Sequence, residues 1–214
     1  MQYSRRYYRI IYKEEIGTQY DSFFNQKNLQ SIGVFGLHPH AGVTWITILL
    51  AEYLANICGL KVAVIEHSQK RDLFCLSSNK EQLEEEPFKV HNITYSLSSE
   101  KLLLNKQEQV SYDYLVYDLG CNYAKSRDLI MSCNKSLLVY TMIPWYFDRS
   151  KAVLALERDY GRPEHVTFLG NMITKEKRKL VGRIFRGSEF LGYEPDFFHP
   201  SKQSIQVFHN SLWN

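Results

Sequence analysis

The stretch from Ser31 to Glu66 contains two apolar runs separated by a loop and a helical pattern. Ile32–Phe35 is a short apolar run of the kind found in buried parallel strands, and a loop follows it. Apolar residues then recur at helical spacing as far as Gly59, a residue suited to the left-handed end of a helix. Lys61–Ile65 supplies a second buried strand. The stretch therefore predicts one βαβ unit, which favours a parallel sheet covered by helices.

The loop between the first strand and the helix is where a phosphate group would bind. A turn that runs into a helix N-terminus directs free backbone N–H groups at an anion, and the helix dipole adds to the attraction. The usual Walker motif is G-x-x-x-x-G-K-[ST], whose lysine neutralises phosphate and whose hydroxyl binds magnesium. Residues 37–44 read L-H-P-H-A-G-V-T, so Gly42 and Thr44 are kept while Val43 stands in place of the lysine.

This unit resembles the start of the ParA/MinD group of P-loop ATPases, whose deviant motif is K-G-G-x-G-K-[ST] at a strand–helix junction. In an ungapped match Gly42 and Thr44 agree with the motif, while His38 replaces the signature lysine and Val43 the second lysine. Residues 39–40 replace its two glycines. The resemblance implies an α/β fold of three αβα layers with a mostly parallel sheet, P-loop NTPase-like and of the SIMIBI type. It also implies a degenerate Walker A loop.

Two acidic positions of the family can be located further along the chain. The family follows its second strand with a D-x-D pattern, and here the aligned residues are Glu66 and Ser68, of which the serine cannot act as a carboxylate base. The run Tyr112–Gly120 is similar to the family's Walker B strand. The resemblance implies that Asp118 binds magnesium together with Thr44. An aspartate at a strand end can also cap the following loop, and that alternative stays open.

The rest of the chain alternates between strand-like and helix-like periodicity, which favours a parallel sheet covered on both faces. The predicted strands are Phe88–Leu97, Ser136–Thr141 and His165–Leu169, and the predicted helices are Lys125–Cys133, Trp145–Tyr160 and Glu176–Phe185.

Asn171 matches the position at which the ParA/MinD group has an asparagine that reads the adenine edge, although asparagine is also a good turn residue. Phe190–Asp196 resembles the family's LG-x-IP-x-D segment, so the likeness covers about residues 31–212. The resemblance implies ATP and magnesium as cofactors if a nucleotide is bound, and no catalytic residue is predicted. The candidate nucleotide-binding residues are His38, Gly42, Val43, Thr44 and Asn171, and the candidate magnesium ligands are Thr44 and Asp118.

Length and composition favour one ordinary globular domain. The chain has 214 residues, of which 44% are hydrophobic and 23% charged, so it can bury a substantial core. The four cysteines have no metal-binding spacing, so we expect free thiols in a reducing cytoplasm. No apolar stretch approaches the roughly 20 residues of a membrane span. A net charge of +3 indicates no partner by itself.

Residues 1–30 precede the βαβ unit and are predicted to form an extension, and the resemblance implies that residues 31–214 form the P-loop NTPase-like domain. Within the extension, Tyr7–Ile16 is aromatic and β-branched with basic residues between. Such a run is typical of an edge strand or an arm, and surfaces for single-stranded nucleic acid use the same alternation. We prefer the edge strand or arm, because the run is short and acidic residues follow it.

Two segments near the C-terminus are candidate docking surfaces. Cations cluster over Lys175–Arg186, and the resemblance makes DNA a candidate partner there, because members of the family hold DNA on basic surfaces. A solvated helix face is the alternative. The apolar residues of Ser201–Trp213 favour a helix docked on its own sheet over one bound to a membrane. The resemblance further implies protein partners and a homodimer.

Two functions compete at this point. The first is a pseudo-ATPase, a non-catalytic ParA/MinD-like scaffold or positioning factor in a bacterial assembly. His38, Val43 and Ser68 support it, because they replace three groups that position or neutralise phosphate. The second is a nucleotide-binding ATPase switch with an unusual loop, which would recruit a cation such as His38. Pro39 counts against the switch, because proline removes an N–H donor from the loop.

Overall fold

The computed structural model describes residues 29–68, 70–77, 87–97, 112–146 and 164–213, and strands alternate with helices in these ranges. The strands are β1 (Gln30–Gly36), β2 (Val62–Glu66), β3 (Phe88–Val90), β4 (Ile93–Ser96), β5 (Tyr114–Asp118), β6 (Lys135–Tyr140), β7 (Val166–Gly170) and β8 (Glu189–Phe190). The helices are α1 (Val43–Glu52), α2 (Tyr123–Ser132), α3 (Lys175–Ile184) and α4 (Lys202–Trp213). A π-helical turn at Tyr53–Ile57 extends α1, and a short 3₁₀ helix spans Asp72–Leu76.

The described strands form one sheet in the order β3-β4-β2-β5-β1-β6-β7-β8. Every neighbouring pair is parallel except β3 and β4, which are antiparallel. The predicted mostly parallel sheet is therefore confirmed. Because β1 lies between β5 and β6, the loop that follows β1 opens at the middle of one edge of the sheet.

Alternate side chains of β1 point to opposite faces of the sheet, and helices cover both faces. Val34 belongs to a buried cluster that includes Leu49 of α1 and residues of α4. Phe35 belongs to the opposite cluster, which includes Ile130 of α2 and Val181 of α3. Burial of each such side chain contributes about 1.5–3 kcal/mol, so the two apolar faces stabilise the predicted three-layer αβα arrangement.

Predictions for two helices agree with the structure. Gly59 follows the π-helical turn with a φ of 71°, the left-handed conformation expected at the end of that helix. The C-terminal helix α4 packs its apolar side on the sheet, as predicted, and Phe208 is fully buried there. Among the described residues, no helix has the length and apolar character that crossing a membrane requires. The four cysteines are free thiols, as expected.

Some predictions fall beyond the described residues. Strand β1 begins at Gln30, so it includes the last residue of the predicted N-terminal extension. Residues 1–28 of that extension, which contain the Tyr7–Ile16 run, lie outside the described residues. The predicted helix Trp145–Tyr160 is described only at its start, where residues 144–146 are helical.

The single strand predicted over Phe88–Leu97 is wrong. The chain forms a hairpin there, in which β3 and β4 pair antiparallel on either side of His91 and Asn92. Both turn residues have positive φ, 50° and 68°, which is the pattern of a type I′ turn. Asparagine tolerates this conformation, but histidine is not a common signal for it, so the apolar run on both sides concealed the reversal.

The hairpin turn provides a test of this local structure. We expect Asn92→Val to lower the free energy of unfolding by about 1–2 kcal/mol, because a β-branched residue is strained at positive φ. Asn92→Gly is the matched control and should stay within about 0.5 kcal/mol of the original protein, because glycine adopts this φ freely. Urea denaturation of the three proteins measures the difference. Equal stability of the valine and glycine variants would contradict the turn.

Candidate nucleotide site

The loop after β1 meets the ends of two neighbouring strands at the carboxyl edge of the sheet. The register pairs Asp118 at the end of β5 with Val34 of β1 on one side and with Glu66 of β2 on the other. Ligands of open α/β sheets bind at this edge. A pocket of about 200 Å³ lies here, lined by residues of the loop, by residues that follow β2 and by residues at the end of β5.

The predicted magnesium pair is brought together. Thr44 Oγ1 donates a hydrogen bond of 2.6 Å to Asp118 Oδ2, and Asp118 Oδ1 accepts one of 3.0 Å from the Gly120 N–H. Burial raises the pKa of Asp118, and the hydrogen bonds from Thr44 and Gly120 oppose that shift. A hydroxyl and a carboxylate side by side are oxygen ligands of the type that Mg²⁺ prefers, so this pair fits a magnesium ion.

His38, aligned with the signature lysine, is buried at 1% exposure and is held by the protein. Its Nε2 accepts a hydrogen bond of 3.1 Å from the Thr141 N–H, so the ring proton lies on Nδ1, which donates to the Pro39 carbonyl at 2.7 Å. The ring stacks on Tyr146 with centroids 4.9 Å apart. Burial lowers the pKa of His38, which favours the neutral ring. In this state His38 tethers the loop to the end of β6 and carries no charge.

Val43, which stands where the motif has its second lysine, packs into the core with an exposure of 8%. It lies against Gly36, where an added Cβ would be only 2.7 Å from Val43 Cγ2. The valine side chain therefore fills space inside the protein and offers no positive charge to the pocket, although Val43 is among the residues that line it, and its role in nucleotide binding stays a prediction.

Asn171, which follows β7, contacts the loop between β1 and α1. Its Nδ2 donates a hydrogen bond of 2.9 Å to the Ala41 carbonyl. Gly42, which follows Ala41, has a φ of +93°, and a Cβ added there would come within 2.5 Å of Asn171 Nδ2. Asn171 thus ties the loop to the end of β7, and its role in reading adenine stays a prediction.

The Glu66 carboxylate accepts hydrogen bonds from the backbone that follows β2, and Ser68 donates a further one to the same carboxylate. The Glu66 carboxylate, 3% exposed, accepts hydrogen bonds from Ser68 Oγ at 2.7 Å and from the Asp72 and Leu73 N–H groups at 2.8 and 3.0 Å. Burial raises the pKa of Glu66, and these hydrogen bonds oppose the shift. The carboxylate therefore fixes the start of the 3₁₀ helix, where N–H groups need acceptors.

Lys70 is a pocket residue that sequence reasoning missed. It lines the pocket together with Asp72 and Asp118, so the lysine and aspartate side chains that line the pocket carry one positive and two negative charges, a sum of −1. Attraction by Lys70 lowers the pKa of Asp118 and repulsion by Asp72 raises it, both as minor causes. The available signal was its position just after the residues aligned with the D-x-D pattern.

No protein-family model matches the chain, and no curated protein does either. Solved structures do match. MinD in the MinC:MinD cell division protein complex of Aquifex aeolicus superposes with a TM-score of 0.63 at 16% identity, covering 86% of this chain and 95% of that one. A ParA family ATPase from Chlorobium tepidum gives 0.59 at 15% identity, with 86% and 92% covered. The chain has the ParA/MinD fold.

A third match connects the ParA/MinD fold to nucleotide. The septum site-determining protein MinD from Pyrococcus horikoshii, complexed with Mg-ADP, superposes with a TM-score of 0.56 at 12% identity, covering 84% of this chain and 93% of that one. Likeness at such identities establishes the fold, and the chemistry at this chain's pocket depends on its own residues.

The contact between Gly42 and Asn171 can be tested by a double-mutant cycle. Gly42→Ala should cost about 1–3 kcal/mol of unfolding free energy, because it adds strain at positive φ and a clash with the amide. In an Asn171→Ala background the clash is gone, so the added cost should fall by at least about 0.5 kcal/mol. Gly182→Ala on α3, where a Cβ would meet nothing within 4 Å, is the control. Strict additivity in urea denaturation would contradict the contact.

His38 should make stability depend on pH. Its pKa is lowered on folding, so the unfolded chain binds the proton more readily and stability falls as pH drops below the unfolded value of 6.5. Relative to His38→Gln, which cannot titrate, the protein should lose at most about 1.4 kcal/mol per pH unit below that value. Urea denaturation of both proteins at about pH 7.5 and about pH 5.5 measures this difference in stability. Burial also lowers the pKa of His67. Because His67 is present in both proteins, its contribution cancels in the comparison. Parallel pH profiles for the two proteins would refute the neutral tether.

Proposed function

We propose that this chain is a ParA/MinD-like protein that no longer hydrolyses ATP and acts as a scaffold or positioning factor in a bacterial assembly. The observation that carries the proposal is the charge of the pocket. Val43 is packed in the core and His38 is a neutral tether, so the two lysine positions of the motif supply no cation. Lys70 is outnumbered by Asp72 and Asp118 in the lining.

Hydrolysis requires more than binding, and the missing groups act at that stage. Phosphoryl transfer depends on positioning and on neutralising charge on the transferred group. The loss of one group that stabilises a transition state costs about 100- to 1,000-fold in rate. Ser68 cannot activate water as a carboxylate does, and Glu66 is engaged by backbone N–H groups. Together with the two absent lysines, these changes leave little turnover.

A nucleotide-binding switch is the second candidate, and two observations favour it. Thr44 and Asp118 lie within hydrogen-bonding distance, as a pair that would hold magnesium should. Lys70 lines the same pocket and could supply the missing cation. The pocket volume of about 200 Å³ counts against a whole nucleotide, because ligand pockets usually measure about 300–1,000 Å³.

Partners are proposed from the relatives and from surface charge. MinD of Aquifex aeolicus is part of a complex with MinC, which supports a protein partner for this chain, and a homodimer is proposed on the same likeness. DNA on the basic segment Lys175–Arg186 remains a proposal, with a steep loss of binding in salt as its signature. The free cysteines favour a reducing compartment such as the cytoplasm.

Calorimetric titration with ATP and magnesium, followed by a phosphate-release assay, tests the proposed function. We expect no turnover and no binding at micromolar ATP, because the pocket lacks the charge that a triphosphate needs. Val43→Lys should raise the affinity by about tenfold or more, since a charge-assisted hydrogen bond contributes about 1.5–3 kcal/mol, while Val43→Leu should not. Micromolar binding by the original protein that Thr44→Ala or Asp118→Ala abolishes, together with turnover, would overturn the pseudo-ATPase in favour of the switch.

A further inference from the structure

Three large apolar side chains are exposed just after three neighbouring strands. Trp145 follows β6 and is 75% exposed, Met172 follows β7 and is 55% exposed, and Tyr193 follows β8 and is 74% exposed. These strands are consecutive in the sheet and parallel to one another. The three side chains, here called the apolar row, therefore emerge along the same carboxyl edge.

The apolar row follows three strand ends that lie close together. Neighbouring strands are about 4.8 Å apart, so the three strand ends span roughly 10 Å. Met172 has a φ of 54°, an uncommon conformation for a long side chain, and it leaves this side chain in solvent. Tryptophan, tyrosine and methionine are enriched in protein interfaces, and the first two dominate binding energy there.

A basic helix begins beside the apolar row. α3 starts three residues after Met172, and it exposes four cations and one acid, Glu176, so its exposed face carries a net charge of +3. The N-terminal end of a helix also attracts negative charge. Arg178 is tied to the fold, because it lies over the Phe190 ring at 5.5 Å and donates to the Ile173 carbonyl. The exposed cations are Lys175, Lys177, Lys179 and Arg183.

We propose that the apolar row and the exposed cations of α3 form a docking site for an acidic, amphipathic segment of a partner protein. Apolar side chains of such a segment would cover Trp145, Met172 and Tyr193, and its carboxylates would face the cations. Duplex DNA would use the cations and leave the apolar row in water, and Glu176 would repel its phosphates. The docking site adds a partner-binding surface to the proposed scaffold function. It rests on that function only in the sense that a scaffold needs a partner.

The test uses the full-length chain without nucleotide, so its failure is separate from the ATP result. The probe is a fluorescent synthetic helical peptide with leucine and phenylalanine on one face and glutamate on the other, and anisotropy measures its binding. Trp145→Ala should weaken binding by about tenfold, as loss of an aromatic anchor does, and the pair Lys175→Glu and Lys177→Glu should also weaken it. Controls are Ile57→Ser, an apolar residue 48% exposed, and Lys61→Glu, an exposed cation; both residues precede β2 and so lie at the opposite edge of the sheet.

Each alternative occupant gives a different result. A peptide whose glutamates are replaced by glutamine should bind about tenfold more weakly, and equal binding would overturn the role of the cations. Loss of binding in the control variants, or none in Trp145→Ala, would overturn the site. A dimer in solution that Trp145→Ala dissociates would assign the apolar row to a second copy of the chain. Duplex DNA that binds more tightly than the peptide and ignores Trp145→Ala would assign the cations to nucleic acid.

Discussion

The hydrogen bond from Thr44 to Asp118 closes the loop against the centre of the sheet, and the rest of the pocket depends on it. β1 and β5 are neighbours in register, so the helix that starts after the loop brings its first hydroxyl directly to the end of β5. Two further contacts hold the other side of the loop. Thr141 binds His38 at the end of β6, and Asn171 binds Ala41 at the end of β7. The loop is thus fastened to three strands.

All three contacts use neutral groups or a buried carboxylate, so none of them places a positive charge in the pocket. A loop that wraps phosphate needs N–H groups and cations directed inwards. Here the histidine ring is occupied by backbone groups and the valine faces the core. The loop between β1 and α1 is held in this shape by its own packing and by hydrogen bonds to the ends of β5, β6 and β7.

Local patterns predicted the elements, whereas distant contacts decided the site. The βαβ unit and the β5 strand were predictable, because buried parallel strands are continuous apolar runs and α1 has a helical period. The partners of His38 and Asn171 were not, because they lie 103 and 130 residues away along the chain. Lys70 was missed for a related reason, since a side chain in a loop enters a pocket only when the neighbouring strands are placed. The hairpin at Asn92 was hidden by a turn without glycine.

The packing of Val43 against Gly36 has a consequence for substitutions at either position. The valine methyl group occupies the room that the glycine leaves, so the two residues fit each other as a pair. Lysine has one γ carbon where valine has two, so a lysine at position 43 would leave part of that room unfilled. Positions 36 and 43 are therefore coupled: a side chain larger than glycine at position 36 would fit only if the residue at position 43 were smaller.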